Sequence, residues 1–273
     1  MTIAATSFDV TKDAFLGGRV EAFQPATGHH RSGLEAVLLG ASLPADFAGG
    51  VIDLGAGAGV AGFCAAARCP GTEVTLVERE AAMIACARRS LDLAANRDVA
   101  GRVRIAAVDI RSNEASRMAA GIAREAADAV LTNPPFHAAA DVRPSSAPAR
   151  VAAHILETNL DDWFRAASWS LRPGGTLIAI TAAASITELL DALTGRFGAA
   201  ALLPLHPRPG LPAERLLVRA TRGGRAGPQI LPGLVLHGSS GNGFTPPLEA
   251  ILRDGAGLGD VHQSWQAGSR SPS

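Results

Sequence analysis

Cysteine is scarce in this chain, lysine all but absent, and no long apolar run opens it; each shortage removes a class of protein. Cys64, Cys69 and Cys86 are too few and too irregularly spaced for a zinc site or a disulfide framework, which suits a reducing compartment. Lys12 is the single lysine. Arginine carries the rest of the positive charge; it offers bidentate phosphate contacts and stacks on bases, although the bias itself reads as the habit of a GC-rich genome. Acidic and basic residues balance at 25 each. Composition therefore gives no global attraction to nucleic acid, and any such partner must be held by a local patch. The opening Met1-Thr2-Ile3-Ala4-Ala5-Thr6 has neither a basic n-region nor an apolar stretch, so no signal peptide or membrane span is expected and a cytoplasmic protein is the default.

What is present is enough apolar residue, 47% of 273, to fill a proper core. The expected organisation is an N-terminal arm over residues 1–30, one α/β domain over 31–254, and a Gly/Ser-rich flexible tail over 255–273. From Ser32 the spacing of Leu34, Val37, Leu38 and Ala41 predicts a helix, with Ser32 and Glu35 as a capping box. A strand at Gly50–Leu54 leads through a glycine-rich turn into a helix at Val60–Arg68. A second strand, Glu73–Glu78, ends in an acid, and Met83, Ile84, Ala87 and Leu91 mark the next helix. Val103–Val108 reads as a third strand closing at Asp109, and Ala127–Thr132 as a fourth. A mobile loop is expected over Ala138–Ala149, then a helix near Leu160–Leu171, a fifth strand at Thr176–Thr181 and a helix ending near Gly195. The last two runs, Ala200–Leu205 and Arg215–Ala220, are joined by turn residues with no helix between them. Strands alternating with helices predict a mostly parallel seven-stranded sheet with an antiparallel last strand and helices on both faces.

Two strand ends carry the chemistry. Gly55, Gly57 and Gly59 follow Asp53-Leu54 and permit a tight turn with close approach of a ligand to the backbone. A dinucleotide fingerprint would place its third glycine at position 60, which is Val60, so a nicotinamide cofactor loses ground. Glu78 stands where an acid accepts from both ribose hydroxyls, and Asp109 where one accepts from an adenine amino group. Asp53 either fixes the glycine turn or receives the ammonium of a methionine moiety; Glu35 caps its helix, receives that ammonium, or both. His29 and His30 lack partners at metal-ligand spacing and are read as solvated or substrate-contacting.

At the end of the fourth strand stand Asn133, Pro134, Pro135 and Phe136. A conjugated exocyclic amine is a poor nucleophile because its lone pair is delocalised into the ring. The side-chain oxygen of Asn133 and the carbonyl of Pro134 can each take one N–H, localising that pair, while the prolines contribute no competing donor and stiffen the backbone. Phe136 offers a face for a base to stack on, worth on the order of 1–3 kcal/mol. The two strand ends together point to S-adenosylmethionine at one and a planar amine at the other.

The chain resembles the small class I (Rossmann-like) methyltransferases, and more closely the bacterial adenine-N6 methyltransferases of a valine tRNA. The resemblance runs from Phe15 to Leu258. It rests on Phe15-Leu16-Gly17-Gly18-Arg19-Val20, Gln24-Pro25, the stretch Gly28–Leu39, the Asn133–Phe136 tetrad, Pro148-Ala149-Arg150, Pro204–Gly210, Leu234–Gly238 and Ala250–Arg253. It implies S-adenosyl-L-methionine as cofactor, a catalytic Asn133–Phe136, and the adenine next to the anticodon of tRNA as substrate, with Arg143, Arg150, Arg208 and Arg215 as candidate phosphate contacts. Two departures stand out. Glu35 occupies a position usually held by aspartate, and Phe136 is followed by His137, as in related rRNA guanine-N2 methyltransferases. The alternatives are accordingly an rRNA guanine-N2 or protein glutamine-N5 methyltransferase, and more remotely a non-catalytic nucleic-acid-binding module.

Overall fold

A computed structural model of the chain describes residues 9–27, 31–135 and 159–267. Strands β1 (Val10–Phe15) and β2 (Val20–Pro25) form an antiparallel hairpin. After it come α1 (Leu34–Ala41), β3 (Ala48–Leu54), α2 (Val60–Arg68), β4 (Gly71–Glu78), α3 (Ala81–Leu91), β5 (Val103–Ala107) and β6 (Ala127–Thr132). Beyond residue 158 the helix Leu160–Ser170 leads into β7 (Leu171–Ala182), the helix Ile186–Leu193, β8 (Phe197–His206) and β9 (Arg215–Arg222).

Seven strands lie side by side in the order β5-β4-β3-β6-β7-β9-β8. β3 through β7 run parallel, and β9 is antiparallel to both its neighbours. The expected sheet is thus present. The sequence reading left out two short strands, Gln229–Ile230 and Leu234–Val235, which extend the sheet along β8. Because the chain turns outward from β3 in one direction to β5 and then in the other from β6, the strand order reverses between β3 and β6. That switch point opens a crevice at the carboxyl ends of the strands.

Side chains alternate across the sheet as strand geometry requires. Ile178 and Ile180 of β7 pack with Leu38, Leu39 and Phe63 of α1 and α2, whereas Leu177 and Ala179 pack with Phe164 and Leu189 on the opposite face. α1 and α2 cross at backbone contact: a methyl group at Gly40 would lie 2.7 Å from Cys64 Cβ and 2.9 Å from the Ala65 nitrogen.

Both ends of the described chain are built into this body. The hairpin buries Leu16 and Val20, and Phe23 N donates to Ser90 Oγ on α3 at 2.9 Å. The expected flexible tail is corrected over residues 258–267, which form two short helices with Leu258 and Trp265 buried. Trp265 Nε1 donates to the Ser42 carbonyl at 3.1 Å, and the Arg219 guanidinium sits 4.7 Å over its ring. Composition misled here because a few apolar anchors in a polar segment suffice when α1 and β9 offer them a groove. No helix among the described residues is long and apolar enough to cross a membrane.

Candidate active site

The glycine turn is shaped by the backbone beneath it. Gly55 N and Ala56 N both donate to the Val77 carbonyl at 2.9 Å, and Gly59 N closes onto Ala56 O at 2.8 Å. Gly55, Gly57 and Gly59 have φ of +72°, +57° and +87°, which side-chain-bearing residues seldom adopt. A methyl group at Gly57 would meet nothing within 4 Å, so the crest of the turn faces open space. Gly55 is different: its missing side chain makes room for the ring of Trp163, which a Cβ would approach to 2.3 Å. Trp163, on the helix Leu160–Ser170, was not singled out in the sequence; only its helical spacing was visible, and that gives no sign of the turn it supports.

Two carboxylates brace the turn. Asp53 Oδ2 accepts from Gly62 N at 2.8 Å, a bond that ties the end of β3 to the first turn of α2 across the glycine turn. Burial pushes its carboxyl up to about 7 against the opposing Gly62 N–H, with the Glu78 charge adding to the rise. Glu78 Oε2 accepts from Gly57 N at 2.8 Å, while Oε1 accepts from Arg79 N at 2.7 Å and Glu80 N at 2.8 Å. A carboxylate at a strand end, beside an open glycine crest, fits the ribose of S-adenosylmethionine. Asp109 lies beyond β5 and is clasped by arginines: Arg111 N reaches Oδ1 at 2.8 Å, and Arg79 Nη1 and Arg111 Nη2 reach Oδ2 at 2.9 and 3.0 Å. Burial alone would raise its carboxyl, but these bonds outweigh it and hold the group well below the ordinary carboxylate range. An adenine amino group at Asp109 would share it with two guanidinium groups.

Asn133 follows Thr132, which pairs with Leu54 across β6 and β3 and donates from Oγ1 to the Leu54 carbonyl at 2.9 Å. Asn133 and Gly55 are therefore level with each other on either side of the switch point. Asn133 Nδ2 donates to Glu35 Oε2 at 3.0 Å, and the other oxygen of Glu35 accepts from Arg215 Nε at 2.9 Å. Asn133 Oδ1 is buried and has no hydrogen-bond partner among the described residues. Pro134 is buried and Pro135 exposed, while Phe136 lies outside the described residues, as do His29, His30, His137, Arg143 and Arg150.

Glu35 is not in the expected capping box. The residue preceding α1 is Gly33, with no side-chain cap, and the backbone of Ser32 is held by Gln24 on β2, which accepts from Ser32 N at 2.7 Å and donates to Ser32 O at 3.1 Å. Glu35 is drawn instead to Asn133 and Arg215. Arg215, expected on phosphate, is thus an internal partner, and Arg208 donates to the Gly238 and Gly241 carbonyls at 2.8 and 2.7 Å, tying the late turn to the segment after the short strand Leu234–Val235. Among the described residues no group of three or more His, Cys, Asp or Glu side chains could hold a metal ion.

The methyltransferase small domain family model matches residues 34–203, which takes in the turn, both acids and Asn133. A solved structure described as a predicted O-methyltransferase from Agrobacterium tumefaciens is 33% identical, superposes with a TM-score of 0.69, and is aligned over 81% of this chain and 97% of its own. The ribosomal RNA large subunit methyltransferase G of Serratia proteamaculans (strain 568) is 35% identical over 95 residues, which are 35% of this chain and 23% of that one. A 16S rRNA N2 methyltransferase from T. thermophilus, solved with AdoMet and guanosine, shares the fold at a TM-score of 0.50 and 16% identity, over 81% of this chain and 46% of that one. The chain spans less than half the length of either rRNA methyltransferase. With the sheet order and the glycine turn in place, this chain belongs to the methyltransferase small domain family and is an S-adenosyl-L-methionine-dependent methyltransferase.

Proposed function

We propose that the protein methylates the exocyclic amino group of a purine in RNA, its substrate being N6 of the adenine next to the anticodon of a valine tRNA. One observation carries this reading: Asn133 presents a buried amide oxygen with no partner among the described residues at the switch point, one residue past the strand that borders the glycine turn. A buried acceptor left unpaired costs on the order of 1–3 kcal/mol, and an incoming N–H donor removes that cost.

S-adenosylmethionine, when bound, supplies a methyl group on a positively charged sulfur. Asn133 Oδ1 takes one N–H of the amine and the Pro134 carbonyl takes the other, turning the nitrogen lone pair out of the ring and toward that carbon. On transfer of that methyl group to nitrogen, Asn133 and Pro134 would keep the amine in place while its surplus proton passes to water. Catalysis is by position and pre-set dipoles, without an obligatory base. A hydroxyl substrate would call for a proton acceptor, and the carboxylate bonded to Asn133, Glu35, is already engaged on both oxygens. Splaying a base out of a duplex costs several kcal/mol, so a single-stranded loop is the favoured target.

The second reading is guanine N2 in rRNA, favoured by the names of the Serratia and T. thermophilus proteins. Nucleoside mass spectrometry on separated tRNA and rRNA from a deletion strain decides between them. Loss of N6-methyladenosine from tRNA is expected; loss of N2-methylguanosine from rRNA moves the assignment to the second reading, and unchanged methylation of both overturns the proposal.

A further inference from the structure

We propose that Glu35 and Arg215 are positioning residues that fix which end of the Asn133 amide faces the substrate. This inference rests on the amine-holding role of Asn133 and adds a cause for it.

A carboxamide has one accepting and one donating end of nearly the same size, and rotation by half a turn exchanges them. With the oxygen outward the site takes an amine; with the nitrogen outward it would repel an N–H and favour a carbonyl or a ring nitrogen lone pair. Nothing intrinsic to Asn133 chooses between the two. Glu35 does: its ionised carboxylate only accepts, so it binds the NH2 end at 3.0 Å and forces Oδ1 to the other side. The opposite orientation would set the amide oxygen against a carboxylate oxygen. Arg215 holds Glu35 in turn, its Nε donating to Oε1 at 2.9 Å, and a guanidinium cannot lose its charge under working conditions. The chain guanidinium, carboxylate, amide, substrate amine alternates donor and acceptor at every step, starting from a fixed positive charge.

The three residues come from α1, the end of β6 and the start of β9, and all lie on the sheet face that α1 covers. Arg215 pairs with Ala182 across β7 and β9, which pins its backbone at the carboxyl edge. The site of acceptor selection is therefore assembled by tertiary structure and not by the tetrad alone.

Because a carboxylate accepts at both oxygens, Asn133→Asp has no orientation to lose, and a reciprocal exchange tests the idea. Glu35→Gln, whose oxygen stays on Arg215 and whose NH2 end then faces Asn133 and calls its oxygen inward, is expected to lower kcat at least tenfold with KM for RNA and S-adenosylhomocysteine affinity by calorimetry within twofold of the parent. The double variant Glu35→Gln with Asn133→Asp restores a donor–acceptor pair, and most of that loss is expected to be regained. The side-chain amide NMR signal of Asn133, identified by its disappearance in Asn133→Asp, is expected to shift in Glu35→Gln without any substrate present. Bulk tRNA and rRNA from the deletion strain serve as methyl acceptors. Parental kcat in Glu35→Gln, or a double variant no better than it, overturns the positioning role. Should Asn133→Ala itself turn over normally, the failure belongs to the amine-holding reading; should Asn133→Ala be inactive while Glu35→Gln is not, only the positioning role falls.

Discussion

Asn133 was singled out in the sequence because its place after an apolar run and before two prolines is a feature of sequence. Its orientation was not, since the partner that sets it lies 98 residues away and belongs to another element. Removal of one preorganised hydrogen-bonding group from an active site costs on the order of 10²–10³ in kcat; Asn133→Ala is expected to lose that much in single-turnover methyl transfer while its cofactor affinity stays within about twofold. Glu35 was read as a helix cap, an acceptor for the methionine ammonium, or both; the spacing to Ser32 behind the cap was real, but Gln24 satisfied Ser32 first. Asp53 carries a pH signature. Its carboxyl rises from 3.8 to about 7 on folding, with burial the leading cause, so between those values the folded state holds a proton that the unfolded chain has lost. Stability therefore falls as pH rises through that window and levels off above it. Asp53→Asn keeps an acceptor for Gly62 N and removes the titration. Urea denaturation is expected to show the variant gaining on the parent between pH 5 and pH 8 by on the order of 3 kcal/mol.

At the scale of elements, the strands and most helices followed from periodicity and turn residues. The helix Val60–Arg68 was located to the residue, and each strand of the seven was found within a few positions of its observed ends. Strand ends extended further than the apolar runs, as in β7, because Leu171 pairs with Ala127 while the polar Arg172–Gly175 stretch bulges out before pairing resumes at Thr176. What periodicity could not give was the distance between helices. Gly40 reads as an interruption of α1, yet it is where α1 and α2 touch. A methyl group there overpacks the crossing, at a cost of about 1–3 kcal/mol. Gly40→Ala is expected to lower the melting temperature by ~2–4 °C for each kcal/mol. Since α1 also carries Glu35, kcat is expected to fall in the folded variant, measured well below its melting point, with the turn's cofactor affinity retained.

For the molecule as a whole, the sheet order and the switch point were inferable, because alternating strands and helices admit few connections. The closure of the α1 face by residues 258–267 was not inferable, because Leu258 and Trp265 are isolated apolar residues among glycine and polar neighbours. Burial of an indole to 2% exposure against α1 and β9 makes this segment part of the core. Truncation of a large buried aromatic costs on the order of 3–5 kcal/mol; Trp265→Ala is expected to move the denaturation midpoint accordingly, and a variant as stable as the parent would show the segment to be dispensable. The bond from Trp265 to Ser42 spans 223 positions, and Ser42 directly follows the helix that bears Glu35. During translation, then, α1 emerges from the ribosome long before its final support exists. The face of the sheet that α1 covers is therefore closed only once residue 265 has cleared the exit tunnel.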